Sequence, residues 1–506
     1  MTCARNRCWL TLSLLMVLVA GSSSWAVDAT VDFDQHLRKW DGFGVNYVET
    51  RHTRDYNEFP QDYGGFKYLD DAQRAEIIEH VFGADGLKPA IVKVFCDSFH
   101  EPENDNDDPY LIDMSRFDHV TTTRWIRYFA KEGLKTTRAW GGDLVFLAGL
   151  YGPPGWMTKQ KVLRGRDLDP EMRLELAEYL AAWAKYLREV EGLPVSYVSM
   201  HNEGEDPRRW SEDGFDSPEF YDHDYNLWWP DAQVVEFLKY ARGVLDRHGL
   251  EDVGITCGET TSWRRLLNFE LPDGRVMHIA QRIAEDAEAL RNLSLITSHG
   301  FNRQYIVDGV DLLRSKRPEL HAWTTSYTWG NMSLDIIEEA RRLIYDVKCN
   351  ALIPWATVHH DYESDKLSPP RDFRVSSNPN SPIKTNDGKV ELTKAYYHFK
   401  QISRAGQPGM AVAHVEVADD AEVSLIAFAA NGTTNPHAVI VINQSKEMRP
   451  VTLAIRGIEG RAATAFVTTD VEFADRNHEP LGTMKVQDDR LKYQAPARSV
   501  TTFYLE

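Results

Sequence analysis

The sequence predicts an α/β chain, a (β/α)8 barrel of the TIM type followed by an appended C-terminal antiparallel β-sandwich. Three features carry that expectation. Strand-like and helix-like segments alternate from about residue 42 to 360, the βαβα order of a parallel sheet. Within that stretch, Tyr197-Val-Ser-Met-His-Asn-Glu-Gly-Glu205 runs a short apolar strand directly into an Asn-Glu pair. It delivers a carboxylate to the C-terminal end of a strand, where barrels do their chemistry. From about residue 405 the period changes to short alternating strands separated by Gly, Asn, Asp and Pro, the pattern of a sandwich.

The elements follow in order. The first barrel strand is read as Gly42–Val48, then a helix over Asp71–Phe82, then a second strand over Ala90–Phe95. A helix over Thr121–Glu132, closed by Gly133 as a C′ glycine, leads to the third strand, Leu144–Ala148, and to the rigid loop Tyr151-Gly-Pro-Pro-Gly-Trp-Met157. Asp169 and Pro170 suit the N-cap and N1 positions of a helix whose Leu176, Leu180, Trp183, Leu187 and Val190 share one face. After the fourth strand, the loop from Glu205 to Pro230 carries many aromatics and acids and is too long for an idle connection. A helix over Ala232–His248 closes at Gly249, and the fifth strand, Val253–Gly258, ends in Glu259. The sixth, Leu293–Ser298, is followed by His299-Gly-Phe301, and the seventh, Leu320–Ser326, runs into Tyr327. Ser333 is placed to cap a helix with an apolar stripe of Ile336, Ile337, Ala340, Leu343, Ile344 and Val347, and the eighth strand, Ala351–Thr357, leads to His359-His360-Asp361. The segment Ala29–Phe33 has no place in a barrel and is expected to pair with the sandwich. The expected divisions are a leader over 1–26, an N-terminal strand segment over 27–41, the barrel over 42–400 and the sandwich over 401–506.

Composition narrows the function classes. A basic start with Arg5 and Arg7, an apolar run from Trp9 to Ala20 and a small-residue end at Ala26 form a cleavable secretory leader, so the chain is expected to be secreted or periplasmic. That run is shorter than a membrane span. A net charge of −19 argues against nucleic acid and anionic membrane partners, and a monomer is expected. Cys3 and Cys8 leave with the leader; Cys96, Cys257 and Cys349 each lie within or beside an apolar segment and read as buried small hydrophobes, not as a disulfide or zinc framework. No cofactor is expected. A metal site from His359, His360 and Asp361 is disfavoured because adjacent histidines on a strand point to opposite faces.

Glu203 is the leading candidate for chemistry. A carboxyl held beside aromatic rings can have its pKa raised enough to protonate the leaving oxygen of an acetal. Trp156, Tyr151 and Trp355 are candidate apolar walls on which a sugar ring stacks.

Together Asp41-Gly-Phe-Gly44, Gly152-Pro-Pro-Gly-Trp-Met157, Val198-Ser-Met-His-Asn-Glu203, Thr297-Ser-His-Gly-Phe301, Trp355 and Ser499-Val-Thr-Thr-Phe503 resemble glycoside hydrolase family 30, in order along the whole mature chain. The resemblance implies a retaining-clan barrel glycosidase with an appended β-sandwich, acting on β-linked poly- or oligosaccharide. It implies that Glu203 is the general acid/base and that Asn202 contacts the sugar 2-hydroxyl, with His299 and Tyr327 also at the substrate. The pattern breaks on the seventh strand. The family's nucleophilic Glu is replaced by Ser326 in Trp323-Thr-Thr-Ser326, and the Tyr that usually bonds that nucleophile is Phe301. Gly204 also stands where Pro commonly follows the Asn-Glu pair.

A hydroxyl of ordinary acidity cannot replace a carboxylate at an oxocarbenium-like centre. Glu259, Glu205 and Asp361, with Asp97 after the second strand, are therefore candidate bases for an inverting reaction, which needs a carboxylate roughly 6.5–9.5 Å from Glu203. Tyr327 is an alternative nucleophile if a base activates it. The competing reading is a catalytically inactive carbohydrate-binding relative. The acids of the 205–230 loop suit neutral or cationic sugars, whereas Arg208 and Arg209 suit a uronate or sulfate.

Overall fold

The computed structural model describes residues 26–51, 60–215, 227–327, 333–360, 381–418, 422–460 and 462–505. The expected leader up to Trp25, and Asp361, lie outside the described residues.

Eight parallel strands close into a barrel: Gly42–Asn46, Ile91–Cys96, Val145–Leu150, Val195–Ser199, Gly254–Thr256, Leu293–Ser298, His321–Tyr327 and Ala351–Pro354. Buried on both faces, they read in sequence as nearly continuous apolar runs. Asp70 starts the first helix, Asp71–Phe82, with a full capping box, since it accepts from the backbone of Gln73 while the Gln73 side chain accepts from its own N–H. One helix runs further than expected. It spans Arg124–Ala139 and carries Gly133 inside it, because a Cβ at Gly133 would lie 2.6 Å from the Phe82 ring. That glycine is there for close packing between helices, not as a cap. Asp169 caps a short 3-10 turn over Pro170–Met172, from which the helix Arg173–Glu189 continues; Leu176, Leu180, Trp183 and Leu187 are buried, while Val190 is exposed.

The C-terminal strands Ala411–Val417, Val423–Ala429, His437–Asn443, Arg449–Arg456, Ala462–Thr469, Glu479–Lys485, Arg490–Ala495 and Ser499–Leu505 form one nine-stranded sheet with Val27–Lys39. The sheet folds on itself as a sandwich around Val31, Phe33, Leu425, Leu453, Tyr493 and Phe503, with Tyr493 donating or accepting across it at 2.8 Å to Thr501. Its pairings are antiparallel except one: Val27–Lys39 lies between Ala411–Val417, antiparallel, and Arg449–Arg456, parallel. The outer face also packs on the barrel, where Trp40 meets Phe43 and Phe428 at 5.0 and 5.1 Å and donates to the Gly406 carbonyl at 2.9 Å.

Inside the barrel the side chains form layers. Ile91, Leu147, Leu295, Trp323, Ala351 and Ile353 make one apolar floor. Two residues further along the same strands, at the strand period of two, come Lys93, Gly149, Thr297 and Thr325, a layer of polar and small residues facing the barrel mouth.

Candidate active site

The backbone ladder does not stop where the fourth, fifth and sixth strands end. Glu259 N–H donates to the His201 carbonyl at 3.0 Å, Glu203 N–H to the Glu259 carbonyl at 2.8 Å, and His299 N–H to the Thr260 carbonyl at 2.8 Å. These bonds set Glu203, Glu259 and His299 side by side on three consecutive strand ends. Two backbone features mark the crowding. Glu203 is left-handed at φ 52°, a costly conformation for a residue with a Cβ. Gly258 has φ 84°, and a Cβ there would fall 2.0 Å from His201 Nε2.

The three side chains form a continuous array. His299 Nδ1 lies 2.8 Å from Glu203 Oε1, and its Nε2 lies 3.0 Å from Glu259 Oε2. Glu203 Oε2 also accepts from Arg209 at 3.0 Å and from the Thr261 hydroxyl at 3.4 Å. Glu259 Oε2 accepts from the Lys93 ammonium and, at 2.9 Å, from the Thr325 hydroxyl. Glu203 is 6% exposed, and Lys93 and Glu259 are each 1% exposed, so water screens little of this.

The charges follow from the contacts. Burial pushes the Glu259 pKa up, but Lys93 and His299 outweigh it and bring it down to about 2. Burial opposes a charge on His299, but its bonds to Glu203 and Glu259 prevail and raise its pKa. The His299 ring thus bridges two carboxyl groups whose facing oxygens are one ring and two hydrogen bonds apart, about 7 Å.

Ser326 joins the same centre, its Oγ 3.4 Å from Lys93 Nζ. The pairing of the seventh strand with the eighth slips between Thr324 and Tyr327, a local irregularity of the kind that re-aims side chains. It lets Thr325 and Ser326 both reach the group around Lys93. Asn202 pairs by backbone with Glu259 across the continued ladder. Phe95 holds the aromatic residues: Tyr151 at 5.4 Å, Trp355 at 5.6 Å and the Lys93 ammonium at 4.7 Å over its ring. Trp156 is half-buried, its indole N–H donating to the Glu101 carbonyl at 3.0 Å.

The other sequence candidates have different surroundings. Glu205 is fully buried, accepting from Arg265 and the Thr261 N–H at 2.9 Å each; burial opposes its charge, but Arg265 and Arg209 hold its pKa low. That carboxylate is an ion-pair partner of Arg265 and shares Thr261 with Glu203. Tyr327 is buried with its hydroxyl unpartnered among the described residues, and burial pushes its pKa well above the ordinary value, which suits no activated nucleophile. Asp97 is buried and accepts from the Phe99 N–H at 2.9 Å. Arg208 pairs with Asp206 at 2.5 Å and Arg209 with Glu203, so both guanidiniums that suited a uronate are engaged within the protein.

Sequence reasoning missed Lys93, Arg209 as a partner of Glu203, Thr261 and Thr325. Lys93 had a signal: a lysine inside an otherwise apolar strand is almost never fully buried without a partner.

No family model matches the chain, and no curated protein matches it in sequence. Solved structures do match its fold. A family 30 endoxylanase of Clostridium papyrosolvens C71 superposes with a TM-score of 0.64 at 16% identity, covering 95% of this chain and 100% of that one. A conserved exported protein of Bacteroides fragilis gives 0.67 at 14% identity over 94% and 99% of the two chains. An endo-β1,6-glucanase gives 0.62 at 15% identity over 95% and 94%. The chain therefore has the barrel-and-sandwich fold of these proteins.

Proposed function

We propose that this chain is a secreted glycoside hydrolase acting on β-linked poly- or oligosaccharide. The observation that carries the reading is His299 hydrogen-bonded at once to Glu203 and Glu259. Hydrolysis of a glycosidic bond needs two carboxyl groups, and this array keeps two although Ser326 occupies the position where the family's second one stands. Their separation of about 7 Å falls in the inverting range of roughly 6.5–9.5 Å.

In this reading Glu203 and His299 hold one proton between them; it moves from His299 Nδ1 through Glu203 to the leaving oxygen, which leaves Glu203 ionised and the imidazole neutral. Glu259, the carboxylate whose pKa is drawn down to about 2, faces the developing positive charge and accepts the proton of the attacking water. Trp156, Tyr151 and Trp355 flank the sugar, and Asn202 meets its 2-hydroxyl. Support for the carbohydrate substrate also comes from the similar structures, two of which are a xylanase and a glucanase. Secretion is supported by the leader pattern.

The test is to assay Glu203→Gln and Glu259→Gln against β-glucans and xylans. Each should lower turnover by about 10²–10⁴-fold without loss of glycan binding. Wild-type rates in Glu203→Gln on substrates with poor leaving groups would remove Glu203 from its role.

One observation favours a second reading. The Lys93 ammonium lies beside Ser326, placing positive charge where an oxocarbenium-like centre needs negative charge. Under that reading the cleft binds glycan without cutting it, and binding persists with no product.

A further inference from the structure

Away from the barrel mouth, the loop that follows the second barrel strand packs against the first turns of the helix Arg173–Glu189. There Asp105, Glu175 and Glu178 bring one carboxylate oxygen each to within 4.8 Å of one another. Glu175 and Glu178 lie one turn apart on the same helical face. Glu178 is only 2% exposed, and its Oε1 has no hydrogen-bond partner among the described residues. Asp105 Oδ1 and the neighbouring Asn104 Oδ1 are buried and equally unpartnered. Glu178 is hydrogen-bonded to Glu175, and Asp105 Oδ2 accepts from the Asp113 N–H at 2.6 Å, which leaves these three buried acceptor atoms unused.

Among the described residues no ion pair joins a lysine or arginine to Asp105, Glu175 or Glu178; the one base that feels Asp105 is His248. Beyond the hydrogen bond between Glu175 and Glu178, the charges acting on Glu175 are Asp105, Asp107 and Asp108, and those acting on Glu178 are Asp105, Glu175 and Glu101, all acidic. Arg116 bears on Glu101 and pairs with Glu103 at 2.7 Å. Burial, with this repulsion, pushes Glu178 up to about 10 and Glu101 up to about 8. Buried carboxylates are otherwise paired or bound to metal.

We propose that Asp105, Glu175 and Glu178 form an oxygen-only site for a divalent cation, with Ca2+ the ion that fits. The three oxygens lie within 4.8 Å of one another, close enough for one ion to bridge them, and an all-oxygen carboxylate set is what Ca2+ takes. The set holds no nitrogen or sulfur, so it does not suit zinc. A binding ion fixes the loop to the helix, and with it Glu101, which accepts from the Asp105 N–H at 2.9 Å and whose carbonyl holds the Trp156 indole. The site therefore stiffens a wall of the barrel mouth from behind.

The test strips the full chain with EGTA, titrates CaCl2 by calorimetry and follows thermal melting with and without Ca2+. The expected result is one Ca2+ per chain, a higher melting temperature with Ca2+, and affinity lower by about tenfold or more in both Glu178→Gln and Asp105→Asn. Asp105 is on a partly exposed loop, so Asp105→Asn keeps the test valid if Glu178→Gln does not fold. Absence of Ca2+ uptake at millimolar concentration would overturn the proposal in favour of a single proton shared by Glu175 and Glu178. Unchanged affinity in the foldable variants would overturn it by placing the ion elsewhere.

Discussion

Two groups of buried carboxylates sit on neighbouring parts of this barrel, and they differ in who supplies the positive charge. At the mouth, Glu203 and Glu259 are met by Arg209, His299 and Lys93. Behind it, the charges acting on Glu175 and Glu178 are those of other acids. Glu259 is therefore drawn down to about 2, while burial drives Glu178 up to about 10. A carboxylate's environment, not its depth alone, decides whether it is a permanent charge or a vacant ligand.

The sharpest way to break this contrast is Lys93→Met. It leaves Glu259 buried without its ammonium and should destabilise the fold by about 3–5 kcal/mol in denaturant unfolding. A loss near zero would mean that His299 alone compensates Glu259.

Acid should separate the two groups next. Glu259 has a folded pKa below its ordinary 4.5, so its contribution is fully present above pH 4.5 and is lost as pH falls toward about 2. That amounts to about 3 kcal/mol, measurable as a falling melting temperature over that window. His299 has the opposite sign: its folded pKa is raised, so its contribution is present below its ordinary 6.5 and is lost as pH rises through the folded value. The array should be most stable between pH 4.5 and 6.5.

A smaller effect sharpens the difference. With EGTA present, Glu178→Gln replaces a carboxyl that burial already keeps protonated by a neutral amide that can still donate to Glu175, so stability should stay within about 1 kcal/mol of wild type. Glu259→Gln under the same conditions should lower it. The smallest effect is at the surface. Glu103→Gln breaks an exposed pair with Arg116 and should change stability by no more than about 0.5 kcal/mol.

Much of the scaffold was legible in the chain because barrel strands and amphipathic helices write their period into sequence. The helix Asp71–Phe82 and the strand Leu293–Ser298 fall where the pattern puts them. The helix through Gly133 did not, since a glycine chosen for contact with Phe82 looks like a terminator when no neighbour is visible. The site was legible in part. Glu203, Glu259 and His299 stand at strand ends and can be found by position. Their connection through Lys93, Arg209 and the continued ladder depends on register between strands, which no single segment encodes. Asp105 with Glu178 was invisible for the same reason, being 73 positions apart.

The most direct measurement is the anomeric configuration of fresh products, read by proton NMR, from the wild-type chain incubated with a panel of β-glucans, xylans and galactans. The expected result is product of inverted configuration, as two carboxylates about 7 Å apart require. Product of retained configuration, or a glycan that binds and yields no product, would contradict the assignment of Glu203 and Glu259 as the working pair.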